Sequence, residues 1–186
     1  MFFKKLTFST DSLDCMETLN QQLQKADRLA AITQRIGFAL WQLQELEGVA
    51  AQYFVLLAQA KKEMGLAAGN ALVEKAQNKT FGATIQQTAK AGLLGPGLEL
   101  RFNNLLSERN WLVHKSRRTS RNAIHSDSAT QKLLLRLDSM ADESNALLRE
   151  IGALVERYVK EHGVTEKYIE ETASQLLEQW HASDAI

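Results

Sequence analysis

From Leu133 to Tyr158 one class of side chain returns every three or four positions: Leu133, Leu137, Met140, Ser144, Leu147, Ile151, Leu154 and Tyr158. That heptad-like spacing winds into a single stripe along a helix and is incompatible with a strand, whose faces alternate with period two. A second amphipathic run, Ile36, Leu40, Leu43, Leu46, Ala50, Phe54 and Leu57, repeats the pattern in the first half of the chain. Proline occurs once in 186 residues, at Pro96, and the composition favours the helix formers Leu, Ala, Gln, Glu and Lys. Apolar residues make up 45% of the chain, enough for a helical core.

Capping and breaking residues divide the chain. Residues 1–9 read as an irregular or extended arm, followed by a cluster of N-cap residues, Ser9 to Ser12, and by Leu13, Met16, Leu19 and Leu23 at helical spacing. This pattern continues, or restarts after a bend, into a helix over about 29–62. A short helix is predicted at 70–77 and another at 81–91 behind Thr80. Gly95-Pro96-Gly97 is the clearest break, and Pro96 suits the first turn of a helix over about 96–117. A polar loop at 118–127 leads to a helix over about 128–161, ended by Gly163, and Thr165 caps a last helix over about 166–181. The expectation is an all-α, up-and-down bundle of four to five helices with an additional C-terminal helix. Its parts are 1–28 (arm and helix), 29–161 (bundle) and 162–186 (appended helix). The seam at 133–158 suits packing inside the bundle or, less commonly, a dimer interface.

Lys plus Arg and Asp plus Glu both number 22, which argues against a general nucleic-acid coat protein but leaves room for a local basic site. Cys15 is the single cysteine, so neither an internal disulfide nor a multi-cysteine zinc site is available. No Walker pattern, catalytic carboxylate pair or metal-ligand cluster is visible, and neither metal nor cofactor is expected. The first residues, Met1 to Lys5, hold no apolar run of signal-peptide length, and no segment reaches the apolar length of a membrane span. A cytoplasmic location is the expectation.

The helix after Pro96 breaks its own pattern. Its core stripe runs Leu98, Phe102, Leu105, Arg109, Leu112, so a guanidinium stands where an apolar side chain belongs and requires a partner or an anion. Beside it lies an all-polar stripe, Asn103, Ser107, Asn110, His114, which Arg117 and Arg121 extend if the helix persists. Lys115, Arg117, Arg118 and Arg121 form a local positive patch, and Asp127 is the only acid between Leu112 and Leu133. Phosphates are attracted to such a patch. Together these residues permit phosphodiester cleavage without a metal. Histidine exchanges protons near neutral pH, arginine neutralises charge developing on phosphate, and an amide orients the imidazole. RNA suits this set because its 2′-hydroxyl supplies the nucleophile. A structural histidine and a solvated, basic helix end would account for the same residues.

The segment Glu108-Arg109-Asn110-Trp111-Leu112-Val113-His114 resembles the signature of the HEPN superfamily (higher eukaryotes and prokaryotes nucleotide-binding domains): an arginine, a polar residue directly after it, and a histidine with four to six residues between it and the arginine. Residues 36–47 resemble the first main helix of many bacterial members, and Lys79-Thr80-Phe81-Gly82 their linking segment. The resemblance spans roughly 29–160. It implies a dimerising helical bundle whose two motifs meet in a cleft. Many such proteins are metal-independent ribonucleases, toxins or phage-defence components, while others are inactive binding or scaffold domains. Arg109 and His114 would then be catalytic with Asn110 assisting, and Lys115, Arg117, Arg118 and Arg121 would bind RNA. The resemblance further implies a homodimer, with an antitoxin or other protein partner. One toxin subgroup, paired with a nucleotidyltransferase antitoxin, carries a tyrosine two residues after the histidine, where this chain has Ser116. The alternative is a non-catalytic helical dimer, with the 133–158 seam as interface and Arg109 in a structural ion pair. Glu45 and Glu47 could each pair with Arg109, although charged residues generally face solvent. Trp41, Trp111 and Trp180 are too scattered for a base-stacking platform and are expected in the core.

Overall fold

The computed structural model describes residues 10–61 and 63–183, and the predicted arm at 1–9 lies outside them. Every regular element among the described residues is helical: α1 (Thr10–Ala58), α2 (Leu66–Gln77), α3 (Phe81–Lys90), α4 (Pro96–His114), α5 (Ser116–Thr119), a 3₁₀ turn (Arg121–His125), α6 (Asp127–Glu161) and α7 (Glu166–Ser183). The all-α expectation holds. Of the two alternatives at the start of the chain, continuation and a restart after a bend, the structure has continuation. No glycine or proline interrupts residues 10–36, and α1 runs unbroken for 49 residues, about 73 Å at 1.5 Å per residue.

Of the predicted caps, those at Thr80, Pro96 and Thr165 act as read, whereas Asp11 and Ser12 of the predicted cluster lie inside α1 and Ser9 falls outside the described residues. Thr80 Oγ1 accepts from the Ala83 amide at 3.3 Å, Thr165 Oγ1 from the Tyr168 amide at 3.3 Å, and Pro96 opens α4. Gly92 and Gly163, with φ of +70° and +88°, end α3 and α6 in the left-handed region that favours glycine.

Ion pairs between elements fix the directions. Arg28 of α1 bonds Asp127 and Arg35 bonds Asp138, so α1 and α6 ascend together. Glu108 of α4 pairs with Arg136, and Arg101 with Glu143 and Glu150, so α4 descends against α6. The end of α2 lies beside Gly48 in the middle of α1, so α2 also descends. After it, α3 climbs back until the Tyr53 hydroxyl donates to Leu93 O at 2.9 Å. The helices α1, α2, α3, α4 and α6 therefore alternate up and down.

The largest interface joins α1 to α6. Leu133, Leu137, Met140, Ser144, Leu147 and Ile151 are buried there against Ile32, Ala39, Leu43, Leu46 and Ala50, so most of the seam belongs to the chain's own core. Buried Ser144 donates to Met140 O at 2.8 Å, which satisfies its hydroxyl inside the stripe. Phe81 and Ile85 of α3 and Leu98, Phe102 and Leu105 of α4 complete the core. Two parts project beyond it. Met16, Leu19 and Leu23 in the first turns of α1, and Leu176, Leu177 and Trp180 on α7, are all exposed.

Candidate RNA-facing site

Four cations crowd the chain just past the end of α4, and the local backbone explains why. Nothing in the composition forces α4 to stop at His114, yet Lys115 leaves helical geometry with φ −129° and ψ −18°. The Ser116 hydroxyl donates to Leu112 O at 2.6 Å, and the Thr119 hydroxyl to Lys115 O at 2.9 Å. Such local bonds compete with a regular helix ladder. The chain restarts as the single turn α5 and then the 3₁₀ turn. The long polar stripe anticipated as far as Arg121 is thus corrected: Asn103, Ser107, Asn110 and His114 share the exposed side of α4, while Arg117 and Arg121 reach solvent from separate short elements.

Side chains of α1, α4 and α6 brace this turn. The Trp111 indole donates to Thr119 Oγ1 at 3.0 Å, tying α4 to α5. The Arg136 guanidinium lies over the Trp111 ring, 3.4 Å from its centroid, and forks onto Glu108 with bonds of 2.7 and 3.0 Å. At the other end, Arg28 bonds Asp127 at 2.7 Å. Each arrangement has an electrostatic by-product. The two carboxylates nearest the turn, Glu108 and Asp127, are taken by arginines of other helices. Among the described residues Lys115, Arg117, Arg118 and Arg121 are exposed and form no ion pair, so their positive field is uncompensated.

Arg109 faces another way. Its Nε donates to Glu47 Oε1 of α1 at 3.1 Å, and the two side chains keep 31% and 26% of their surface exposed. At 100° per residue His114 lies about 140° around α4 from Arg109, so one chain presents the two side chains to different sides. Asn110 and His114 are together, whereas the Arg109 stem runs toward α1.

Glu47, expected to face solvent, is half-buried in this ion pair, while Glu45 is exposed. The sequence carried a usable signal. Ile36, Leu40, Leu43, Glu47, Ala50 and Phe54 are spaced 4, 3, 4, 3, 4, which puts a carboxylate in an apolar stripe just as Arg109 stands in one on α4. The tryptophans also depart from expectation. Trp41 is 71% exposed and Trp180 projects on α7, while Trp111 is partly buried under Arg136. His162 stacks on Tyr158 with centroids 4.1 Å apart at the end of α6, and Nδ1 lies 2.8 Å from Tyr158 O, as suits a histidine at a helix terminus.

Among the described residues no helix is long and apolar enough to cross a membrane. No family model, curated protein or solved structure matches the chain.

Proposed function

We propose that this chain is a metal-independent endoribonuclease of the HEPN type, acting as a homodimer. The observation that carries the reading is the exposed pair Asn110 and His114 at the last turns of α4, directly before four cations without a carboxylate partner among the described residues. The cations hold the RNA backbone through its phosphates. His114 serves as the general base that removes the 2′-hydroxyl proton, and the Asn110 amide orients it. Attack of that oxygen on the adjacent phosphorus expels the 5′-oxygen of the next nucleotide, which takes up a proton from water to leave as a hydroxyl, and leaves a 2′,3′-cyclic phosphate. Arg109 stabilises charge at phosphorus. Arg109 faces α1 within the chain, so in the proposed homodimer it exchanges Glu47 for the scissile phosphate, while His114 meets the RNA from the exposed side of α4.

A second reading, a non-catalytic interaction protein, is favoured by one observation: Arg109 is held by Glu47 within the chain. Its expected interface is weakened, since the seam from Leu133 to Ile151 is buried on α1. The test is incubation of total RNA with the protein in EDTA, beside His114→Ala. The proposal expects cleavage by the wild type and none by the variant at an unchanged melting temperature. Equal cleavage by both, or cleavage by neither, overturns it, and the latter leaves the interaction reading.

A further inference from the structure

The long helix α1 carries two apolar lines. One faces the core through Ile32, Ala39 and Leu43. The other runs through Met16, Leu19, Leu23, Phe38 and Trp41, all exposed. At 100° per residue these five share the side turned away from the core. Arg28 meets Asp127 at the first residue of α6, so the turns of α1 before Arg28 project beyond that helix. In the projecting turns the side that would continue the core is polar, with Glu17, Gln21 and Lys25. Every apolar side chain from residue 16 to residue 28 lies on the outer line, Ala26 being the fourth. The projecting turns are therefore built to be covered from outside, not by an extension of the seam with α6.

Length and side-chain size narrow the choice of cover. The outer side of α1 is occupied from Gly48 upward, where the Gln77 amide reaches it and Ala51 and Val55 pack on Ala76 of α2. Below that point Ala30, Gln34, Gly37, Phe38 and Trp41 are exposed, and among the described residues no helix of the chain covers the outer side over 29–47. The projecting stretch, 10–28, equals it in length. The large apolar side chains sit toward the two ends of the line, and the small Ala26 and Ala30 at its middle. Laid antiparallel, two such lines set Met16 against Trp41, Leu19 against Phe38 and Leu23 against Gln34, and a twofold axis repeats each contact. The alanines let the two helices approach closely where they cross. Asp27, at the edge of the line, is the only charged residue near it between Met16 and Trp41. Contact along about 38 Å of helix buries on the order of 1,000 Å² over two copies, the size from which specific interfaces begin. An unrelated partner would need none of this mirror symmetry.

We propose that the outer face of α1 binds the same face of a second copy, antiparallel, so that the projecting turns of each chain cover residues 29–47 of the other. The inference rests on the homodimer reading above for its second copy and deepens it by naming the surface.

Sedimentation of the full chain over a range of concentrations is expected to show a dimer with a dissociation constant in the micromolar range or below. Leu23→Glu/Trp41→Glu places charges in the interface at two side chains that the single copy exposes. The dimer should weaken about a hundredfold or more while the helical circular dichroism is kept. Register is read with cysteines in a Cys15→Ser background. Chains carrying Leu23→Cys, mixed with chains carrying Gln34→Cys, should form a disulfide-linked dimer on mild oxidation. Neither should do so alone, because like positions stand about 16 Å apart in the antiparallel pair. A chain that stays monomeric throughout, a dimer that survives Leu23→Glu/Trp41→Glu, or Leu23→Cys chains that link to one another overturns the proposal. The two ideas fail separately. Cleavage that depends on His114 in a chain that does not pair through α1 removes the interface alone, and a dimer paired through α1 that cuts no RNA removes the ribonuclease alone.

Discussion

One nitrogen joins Arg109 to Glu47, in a pair open to solvent on both partners. Pairs in such settings contribute about 0–1 kcal/mol once screening and side-chain entropy are included. A double-mutant cycle on Arg109→Ala and Glu47→Ala should therefore return a coupling under about 1 kcal/mol. RNA cleavage should fall about 10²–10³-fold in Arg109→Ala, the cost of removing one charge-stabilising group. Undiminished cleavage would show that the pair is purely structural. Arg109 could be found in the sequence because it violates an apolar stripe. Glu47 obeys the same logic but was hidden by its neighbour Leu46, which also falls three residues after Leu43 and is fully buried. Only the packing of α4 on α1 tells which of the two stripes is lined by charge. Tyr53 makes a different residue-scale prediction. Burial raises its phenol above the usual 10.0 while its hydroxyl donates to Leu93 O. Below pH 10 the phenol is neutral in both states and the contribution is whole. Above it the unfolded chain ionises first, and stability is lost as pH rises through the raised folded value. Alkaline unfolding of Tyr53→Phe should accordingly show a shallower slope above pH 10 than wild type; identical slopes would mean that the phenol plays no part.

At the scale of elements, α6 and α7 have similar sequence patterns and unlike surroundings. Leu147 and Ile151 of α6 are fully buried, and truncating either to Ala should cost about 2–5 kcal/mol, read by chemical denaturation. Leu177 on α7 is exposed, and Leu177→Ala should change stability by less than about 0.5 kcal/mol. Periodicity reveals that a helix has an apolar side but not whether a neighbour covers it, which is why Trp180 was wrongly expected in the core. Most helix ends were readable because glycine, proline and hydroxyl caps announce them. The end of α4 was not, since Ser116 and Thr119 act there through bonds back to carbonyls that their spacing alone does not advertise. The basic turn after it has its own test, the salt dependence of binding to a single-stranded RNA. Replacing Arg117 or Arg118 by Gln should lower the slope of log K against log salt by about 0.7 for each phosphate that is no longer neutralised. An unchanged slope in the double variant would remove this turn from the RNA path.

For the whole molecule, fold class followed from spacing, while helix directions required ion pairs such as Arg28–Asp127 that no local pattern encodes. The ascending pair α1 and α6 has a consequence for how the chain is made. Arg28 and Asp127 stand 99 residues apart, and α6 is the largest single neighbour covering the apolar stripe of α1. A ribosome adding about 5–20 residues per second leaves that stripe without its partner for roughly 5–20 s on every nascent chain. During synthesis α1 is thus a long, sticky rod waiting for its cover, and a message truncated before α6 would yield a fragment destined for chaperones rather than a smaller folded protein.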